Sequence, residues 1–147
     1  MQIELVADAE GKFAGHVAPM TAWETLERDA AAQLVDVRTR PEWHFVGLPD
    51  LDALSRAPIC IEWQMFPDME RNADFDDALA AAVDDRHAAL FFLCRSGVRS
   101  AAAAAAATQC GYAHCYNIAG GFEGDKDDNG HRGGCNGWKH DGLAWRQ

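Results

Sequence analysis

Long apolar runs are missing from this sequence. It has no stretch of about 18 apolar residues, the length needed to span a bilayer. The amino-terminal residues MQIELVADAEGKF carry acidic side chains in place of a basic cluster, and they contain no long apolar core. This pattern is typical of neither a signal peptide nor a membrane anchor. We therefore expect a cytoplasmic protein with no membrane partner.

Positive charge is also scarce. Lys and Arg number 13 against 23 Asp and Glu, which gives a formal net charge of -10. Nucleic acids and anionic membrane surfaces attract proteins with a local excess of Lys and Arg. We therefore expect no nucleic-acid partner, and an anionic substrate would have to be received by a few specific arginines.

The cysteines lack the C-x-x-C spacing of redox and metal motifs. Their number is odd, five in all, which is typical of free thiols in a reducing compartment. They are Cys60, Cys94, Cys110, Cys115 and Cys135. A zinc site built from the later cysteines and His114 would match no standard ligand spacing, so packing is the simpler interpretation.

The 147 residues have the hydrophobic content of a folded protein, 48%, and enough length for one domain. We predict a single domain over residues 1–147, in which 1–16 form a leader wrapped around the fold. The fold itself is expected to start near Val17, and residues 124–137 form a loop insertion.

Apolar runs alternate with helical patterns along the chain. Thr21, followed three residues later by Glu24, predicts a capping box for a helix that ends near Ala30. Pro41 is expected in the first turn of a short helix. Further strands are predicted at 33–37, 59–63, 88–94 and 114–118, with helices at about 72–84 and 100–111. This order indicates an α/β fold with a mostly parallel sheet of about five short strands, helices on both faces and right-handed crossovers.

Cys94 is the strongest candidate for chemistry. It ends a strongly apolar strand, and a short loop with Arg95, Gly97 and Arg99 separates it from an alanine-rich helix. Ligands of open α/β sheets bind beyond the carboxyl ends of the strands. Loop amides, the helix dipole and the two arginines would form an anion nest that favours a nucleophilic thiolate. The alternative is a buried cysteine with no reactivity.

Four segments resemble the rhodanese family: LVDVRTRPEW (34–43), FLCRSGVRS (92–100), YNIAGGFEG (116–124) and NGWKHDGLAW (136–145). The resemblance implies a rhodanese-like three-layer fold and an active-site loop from Cys94 to Arg99. It further implies that Asp36 holds this loop through Arg99 or backbone amides, and that Glu42 pairs with Arg38. The substrate-binding loop would comprise Arg95, Ser96, Gly97, Val98 and Ser100.

The activity implied by the resemblance is sulfur transfer through a persulfide on Cys94, without a cofactor or metal. The donor would be a small anion such as thiosulfate. The acceptor would be a thiol, cyanide or an acceptor protein. Arg99 is expected to be mainly structural, whereas for Arg95 a substrate contact and a loop ion pair are equally compatible with the sequence.

Two other functions are compatible with the same fold. Related phosphatases and arsenate reductases use five residues between the cysteine and the arginine, whereas here four residues, RSGV, separate Cys94 from Arg99. Non-catalytic partner-binding modules of the family, including those in sulfur relays, usually lack the cysteine. The short loop and the retained cysteine favour sulfur chemistry.

The sequence departs from the family pattern in two places. After Glu42 it continues WHFVGLPDL and later IEWQMFP, so Trp43, His44, Trp63 and Phe66 could reshape the pocket wall. The second departure is the 124–137 insertion.

The insertion contains a D-x-D-x-N-G pattern from Asp125 to Gly130, similar to the first half of an EF-hand loop. Its twelfth position is Asn136 and not a glutamate, so a polar surface loop near the active-site rim is the simpler interpretation. Cys135, in the same loop, could receive sulfur from Cys94.

Overall fold

The computed structural model describes residues 3–147. The strands in chain order are β1 (Val6–Ala7), β2 (Gly15–Val17), β3 (Gln33–Asp36), β4 (Leu48–Pro49), β5 (Ile59–Cys60), β6 (Gln64–Met65), β7 (Glu70–Arg71), β8 (Ala89–Leu93), β9 (His114–Ile118) and β10 (Trp145–Arg146). The α-helices are α1 (Pro19–Arg28), α2 (Arg40–Phe45), α3 (Phe75–Ala82) and α4 (Val98–Gln109), and a 3-10 turn covers Asp52–Leu54.

The central sheet has six strands in the order β1-β2-β9-β8-β3-β5. The edge strand β1 runs antiparallel to β2, and every other neighbouring pair is parallel. Two small antiparallel pairs, β4 with β10 and β6 with β7, lie outside it. The predicted α/β fold with a mostly parallel sheet is confirmed: five parallel strands, with one antiparallel strand added at the edge.

Both faces of the sheet are covered. All five residues of β8 are buried. Leu90 and Phe92 join a core with α3 and α4, whereas Phe91 and Leu93 join a second core with α1. Because side chains alternate along a strand, one apolar run supplies both cores. The result is the predicted arrangement of three layers.

The first helix begins earlier than the capping-box pattern predicts, and that prediction was wrong. It starts at Pro19 after the extended residue Ala18, and no side chain caps its first turn. Thr21 lies inside the helix, where its carbonyl accepts a hydrogen bond from the Thr25 hydroxyl at 2.8 Å. Proline fits the first helical turn because its fixed φ is helical and it needs no N–H partner there.

The segment treated as a leader contributes to the sheet. Strand β2 pairs with β9, and Phe13 is buried in the core beside α4. Residues 1–2 of that predicted leader lie outside the described residues. Between residues 3 and 147, no helix combines the length and the apolar character needed to cross a membrane.

The remaining elements match their predicted positions with shifted ends. The strand predicted at 59–63 covers only 59–60, and the helix predicted at 72–84 covers 75–82. Asn72 Oδ1 accepts the Asp74 N–H at 3.0 Å, so a side-chain turn takes the place of the first helical turn. Helix α4 starts at Val98, two residues earlier than predicted.

Candidate active site

The Cys94 sulfur lies at the carboxyl end of β8, where the chain turns into α4. Cys94 is only 1% exposed, and the Gly97 N–H donates a hydrogen bond to Sγ at 3.1 Å. A cavity of about 650 Å³ opens beside it. The cavity is lined by Glu42, Val46, Gln64, Met69, Cys94, Arg95, Ser96, Val98, Arg99, Glu123 and Arg132. Cys94 therefore lines a cavity beyond the carboxyl end of its strand, as the strand-end position predicts.

The turn after β9 holds the cysteine loop in place. The backbone N–H of Phe122 donates to the Cys94 carbonyl at 2.8 Å, and that of Glu123 donates to the Arg95 carbonyl at 3.0 Å. Gly121 has φ +61°, and a Cβ there would lie 2.5 Å from the Cys94 carbonyl oxygen. Only glycine permits this approach, which explains the GG pair before Phe122.

Arg99 is paired with Glu42. Its Nη1 and Nη2 donate to Oε1 and Oε2 at 2.7 and 2.9 Å, a bidentate ion pair between α4 and α2. Burial would raise the pKa of Glu42, but hydrogen bonds from Arg99 and Thr39 outweigh it and lower the pKa to about 2. Glu42 was expected to pair with Arg38, and that prediction was wrong because α2 turns Glu42 toward the first turn of α4.

Arg38 is paired instead with Asp36. The Arg38 Nε donates to Oδ1 at 2.9 Å, its Nη2 donates to Oδ2 at 2.6 Å, and both side chains are fully buried. Arg38 Nη2 also reaches the Gly47 carbonyl at 2.8 Å, and its guanidinium lies over the Phe122 ring. The expectation that Asp36 holds the cysteine loop directly was therefore wrong: residues two apart at a strand end share a face, so Asp36 engages its near neighbour.

Two arginines bring unpaired positive charge to the cavity. Arg95 lies on the loop after Cys94, and Arg132 comes from the 124–137 insertion, where its Nη1 donates to the Gly124 carbonyl at 2.8 Å. Within residues 3–147, neither forms a salt bridge with a carboxylate. The charge of Arg99 is balanced by Glu42, so Arg95 and Arg132 are the cations left to receive an anion. Sequence reasoning placed the insertion near the rim but missed Arg132.

The far wall of the cavity comes from the β6–β7 hairpin through Gln64 and Met69, which sequence reasoning also missed. Of the residues expected in this wall, Trp63 packs edge-on against Phe75 with ring centroids 5.0 Å apart. His44 and Phe66 line a separate cavity of about 390 Å³. Aromatic character alone did not distinguish the two cavities.

Behind the sulfur is a line of polar side chains that crosses three strands. Ser100 Oγ lies 3.1 Å from Cys94 Sγ and also contacts Asn117 Oδ1. Asn117 Nδ2 donates to the Gly97 carbonyl at 3.1 Å and lies 3.0 Å from His16 Nδ1. Of this set, sequence reasoning named Cys94, Gly97 and Ser100 as site residues but not Asn117 or His16. Their strands are distant in sequence and become neighbours only in the sheet.

The polar groups of the insertion bind one another. Asn136 Nδ2 donates to Asp125 Oδ2 at 2.8 Å, and Asp127 Oδ1 accepts the backbone N–H groups of Asn129 and His131, each at 2.9 Å. Among the described residues, no three His, Cys, Asp or Glu side chains form a group that could hold a metal ion. The EF-hand-like pattern thus corresponds to a loop closed by its own hydrogen bonds.

The thiol of Cys115 differs from that of Cys94 in its surroundings. Cys115 packs in the core between α4 and the sheet, and burial raises its pKa to about 11. It therefore stays protonated at neutral pH and is a poor nucleophile.

The family comparison matches nearly the whole chain. The family model described as STR4 middle domain matches residues 14–147. The chain belongs to this family. Among its relatives, the uncharacterized protein RC0915 of Rickettsia conorii is 42% identical over 132 residues, covering 89% of this chain and 96% of the relative. The RP600 protein of Rickettsia prowazekii is 36% identical over the same length.

Solved structures agree with the fold. The crystal structure of Rv0390 from M. tuberculosis superposes with a TM-score of 0.83 at 45% identity, covering 92% of this chain and 98% of that one. The polysulfide-sulfur transferase homodimer of Wolinella succinogenes gives a TM-score of 0.61 at 18% identity, covering 94% and 81%. This member of the STR4 middle domain family thus shares its fold with both solved structures.

Proposed function

We propose that this protein is a rhodanese-type sulfurtransferase that moves sulfane sulfur from thiosulfate or a related donor to a thiophilic acceptor. The observation that carries the proposal is that Cys94 lines the cavity while the Gly97 N–H donates to its Sγ at 3.1 Å. A sulfur in that position can act as a nucleophile and hold a second sulfur in the space beyond it.

The first half of the reaction loads the enzyme. The Cys94 thiolate attacks the outer sulfur of thiosulfate, a new S–S bond forms, and the bond from that sulfur to the sulfonate group breaks. Sulfite leaves with the electron pair, and a persulfide remains on Cys94. The loop amides around Gly97 would stabilise the charge that spreads over the sulfurs in the transition state.

The second half of the reaction transfers the terminal sulfur from the enzyme to an acceptor. A nucleophile such as cyanide or a thiolate attacks the terminal sulfur of the persulfide, and the electron pair of the S–S bond returns to Cys94 as a thiolate. With cyanide the product is thiocyanate. An acceptor protein with an accessible cysteine would react in the same way, so the same site could serve a sulfur relay.

The donor would be held by Arg95 and Arg132. Both line the cavity, and neither is neutralised by a carboxylate among residues 3–147, so they offer local attraction to a dianion on a protein of net charge -10. Arg95 thereby takes the substrate-contact role that the sequence left open. Arg99 keeps the structural role expected for it.

The occupied guanidinium of Arg99 disfavours phosphatase or arsenate reductase chemistry. A phosphate group seated in a cysteine loop needs a planar, bidentate arginine, and both Nη atoms of Arg99 are bound to Glu42. The loop also has one residue fewer than such enzymes use. In the sulfur transfer proposed here Arg95 and Arg132 attract the donor, so Arg99 can stay bound to Glu42.

Intact mass spectrometry after incubation with thiosulfate tests the proposal. We expect one added sulfur atom on the wild-type protein, located on the Cys94 peptide and removed by cyanide. Cys94→Ser should add none. Steady-state kinetics should be ping-pong, with parallel double-reciprocal lines. Hydrolysis of an aryl phosphate without any persulfide on Cys94 would show phosphatase chemistry, and absence of both reactions would favour a partner-binding module.

A further inference from the structure

The Asn117 amide has one orientation compatible with its neighbours. The Gly97 carbonyl can only accept a hydrogen bond, so the amide atom 3.1 Å from it must be Nδ2. The second hydrogen of Nδ2 is donated to His16 Nδ1, 3.0 Å away, which accepts it when the imidazole is neutral and carries its proton on Nε2. His16 and Asn117 are direct partners in the register of β2 and β9. Together they turn Asn117 Oδ1 toward Ser100.

The hydroxyl of Ser100 has a single proton and two polar neighbours. One is Asn117 Oδ1, which is buried and can only accept, and the other is Cys94 Sγ at 3.1 Å. If the proton goes to Asn117, then Ser100 Oγ presents a lone pair to the sulfur. That lone pair can accept the S–H of a thiol, but it offers nothing to a thiolate.

We infer that His16 and Asn117 are positioning residues that hold the Ser100 proton away from Cys94 and so set the pH at which this cysteine becomes reactive. When the thiol ionises, its proton leaves to solvent. If the Ser100 hydroxyl then rotates toward the sulfur, the buried acceptor Asn117 Oδ1 loses its donor. If the hydroxyl stays on Asn117, the thiolate lacks this hydrogen bond. Either outcome disfavours the thiolate.

The persulfide state does not carry this cost. Its inner sulfur bears neither a proton nor the formal negative charge, which resides on the terminal sulfur in the cavity. Ser100 can then keep its bond to Asn117 while Gly97 N–H still donates to the inner sulfur. The network therefore favours the enzyme with a persulfide on Cys94 over the enzyme with a free Cys94 thiolate. This consequence rests on the proposed function, whereas the effect on thiol ionisation does not.

Several charged groups lie on the elements around Cys94, and none belongs to the network. Arg99 in the first turn of α4 is bound to Glu42. Further groups on the packed elements are Asp36 and Arg38 at the end of β3, Arg95 on the loop, Glu123 after β9 and Arg132 in the insertion. His16 itself packs edge-on against Phe13, with ring centroids 5.3 Å apart. A His16 variant thus removes one of the two bonds that orient the Asn117 amide, weakens its hold on the Ser100 proton and leaves every one of these charges in place.

The test measures alkylation of Cys94 by iodoacetamide across a pH series above about pH 7, where an ordinary histidine is neutral. The Cys94 peptide is quantified by mass spectrometry so that the other cysteines do not contribute. His16→Phe keeps the ring beside Phe13 and removes the acceptor. We expect its alkylation midpoint to move to lower pH, with roughly two- to tenfold faster alkylation at a fixed pH below the midpoint.

Two further variants make the result specific. His16→Gln retains an acceptor oxygen and should keep the wild-type midpoint. In a Ser100→Ala background, His16→Phe should no longer move the alkylation midpoint. The inference would be overturned if His16→Phe and His16→Gln shifted the alkylation midpoint equally. It would also be overturned if the shift persisted without Ser100, or if His16→Phe produced no shift. If His16→Phe fails to fold, His16→Leu takes its place. A persulfide-negative protein that still shows the shift would refute the proposed function and leave this inference intact.

Discussion

Arg99 donates to Glu42 through both terminal nitrogens, at 2.7 and 2.9 Å, and this pair fixes the first turn of α4 to α2. The same carboxylate accepts the backbone N–H of Thr39 at 3.1 Å and so also caps the start of α2. One glutamate therefore positions two walls of the cavity around Cys94.

The Glu42 pair should make stability depend on acid pH. The pKa of Glu42 is lowered from 4.5 to about 2. The stabilisation that its carboxylate gives the folded state is therefore fully present above pH 4.5 and is lost as the pH falls toward 2. Between those values we expect the wild type to lose about 2 kcal/mol more unfolding free energy than Glu42→Gln, allowing for solvent screening. Urea denaturation of both proteins across this range provides the measurement, and parallel curves would contradict it.

Replacing Cys94 by Ser should abolish transfer of sulfur from thiosulfate to cyanide and leave the fold intact. The hydroxyl is of similar size and can accept the same Gly97 N–H, but it is a far poorer nucleophile at neutral pH. Thiocyanate formation and circular dichroism are the two measurements. Cys115→Ser is the matched control, because that thiol lies in the core and outside the cavity. Activity retained by Cys94→Ser would exclude the persulfide mechanism.

Removing Arg132 should weaken donor binding. Arg132→Ala deletes one of the two unpaired cations of the cavity, and we expect KM for thiosulfate to rise by roughly three- to tenfold with a smaller change in kcat. Lys126→Ala is the control, since Lys126 lies exposed in the same loop and does not line the cavity. If both variants raised KM equally, the effect would come from the general field of the loop and not from a contact.

Breaking the Asp36–Arg38 ion pair should mainly lower the free energy of unfolding, with a smaller effect on sulfur transfer. Asp36→Asn leaves a fully buried guanidinium without its counter-charge, so we expect a loss of about 3–5 kcal/mol in urea denaturation. The double variant Asp36→Leu with Arg38→Met should recover much of it. Glu24→Gln, which removes an exposed pair at 3.8 Å, should change stability by less than about 0.5 kcal/mol. A loss below about 1 kcal/mol for Asp36→Asn would contradict this prediction.

Lengthening the loop after Cys94 by one residue, to the length that phosphatases use, tests whether its amides contribute to sulfur transfer. One residue inserted between Arg95 and Arg99 should lengthen the path from the Gly97 N–H to the sulfur and reduce sulfur transfer at least tenfold, by rough analogy with the loss of one anion-stabilising donor. Initial rates with thiosulfate and cyanide provide the measurement. An unchanged rate would show that the loop amides do not contribute.

The sequence by itself determined the parts of this protein that depend on neighbours along the chain. The apolar run 88–94 predicts a strand buried on both faces, and the alanine tract predicts α4, so the position of Cys94 between them follows from local pattern. Even so, the start of α1 was misplaced, because Pro19 competes with Thr21 for the helix start and local pattern alone did not rank them.

Only the tertiary structure decided which side chains meet. Asp36, Arg38, Glu42 and Arg99 all have suitable charges, and the resemblance paired them differently from the pairs observed. Ion pairs depend on distances of a few ångströms between elements, which hydrophobic periodicity does not specify. The same holds for His16 and Asn117, which lie 101 positions apart and become neighbours because β2 and β9 share one sheet.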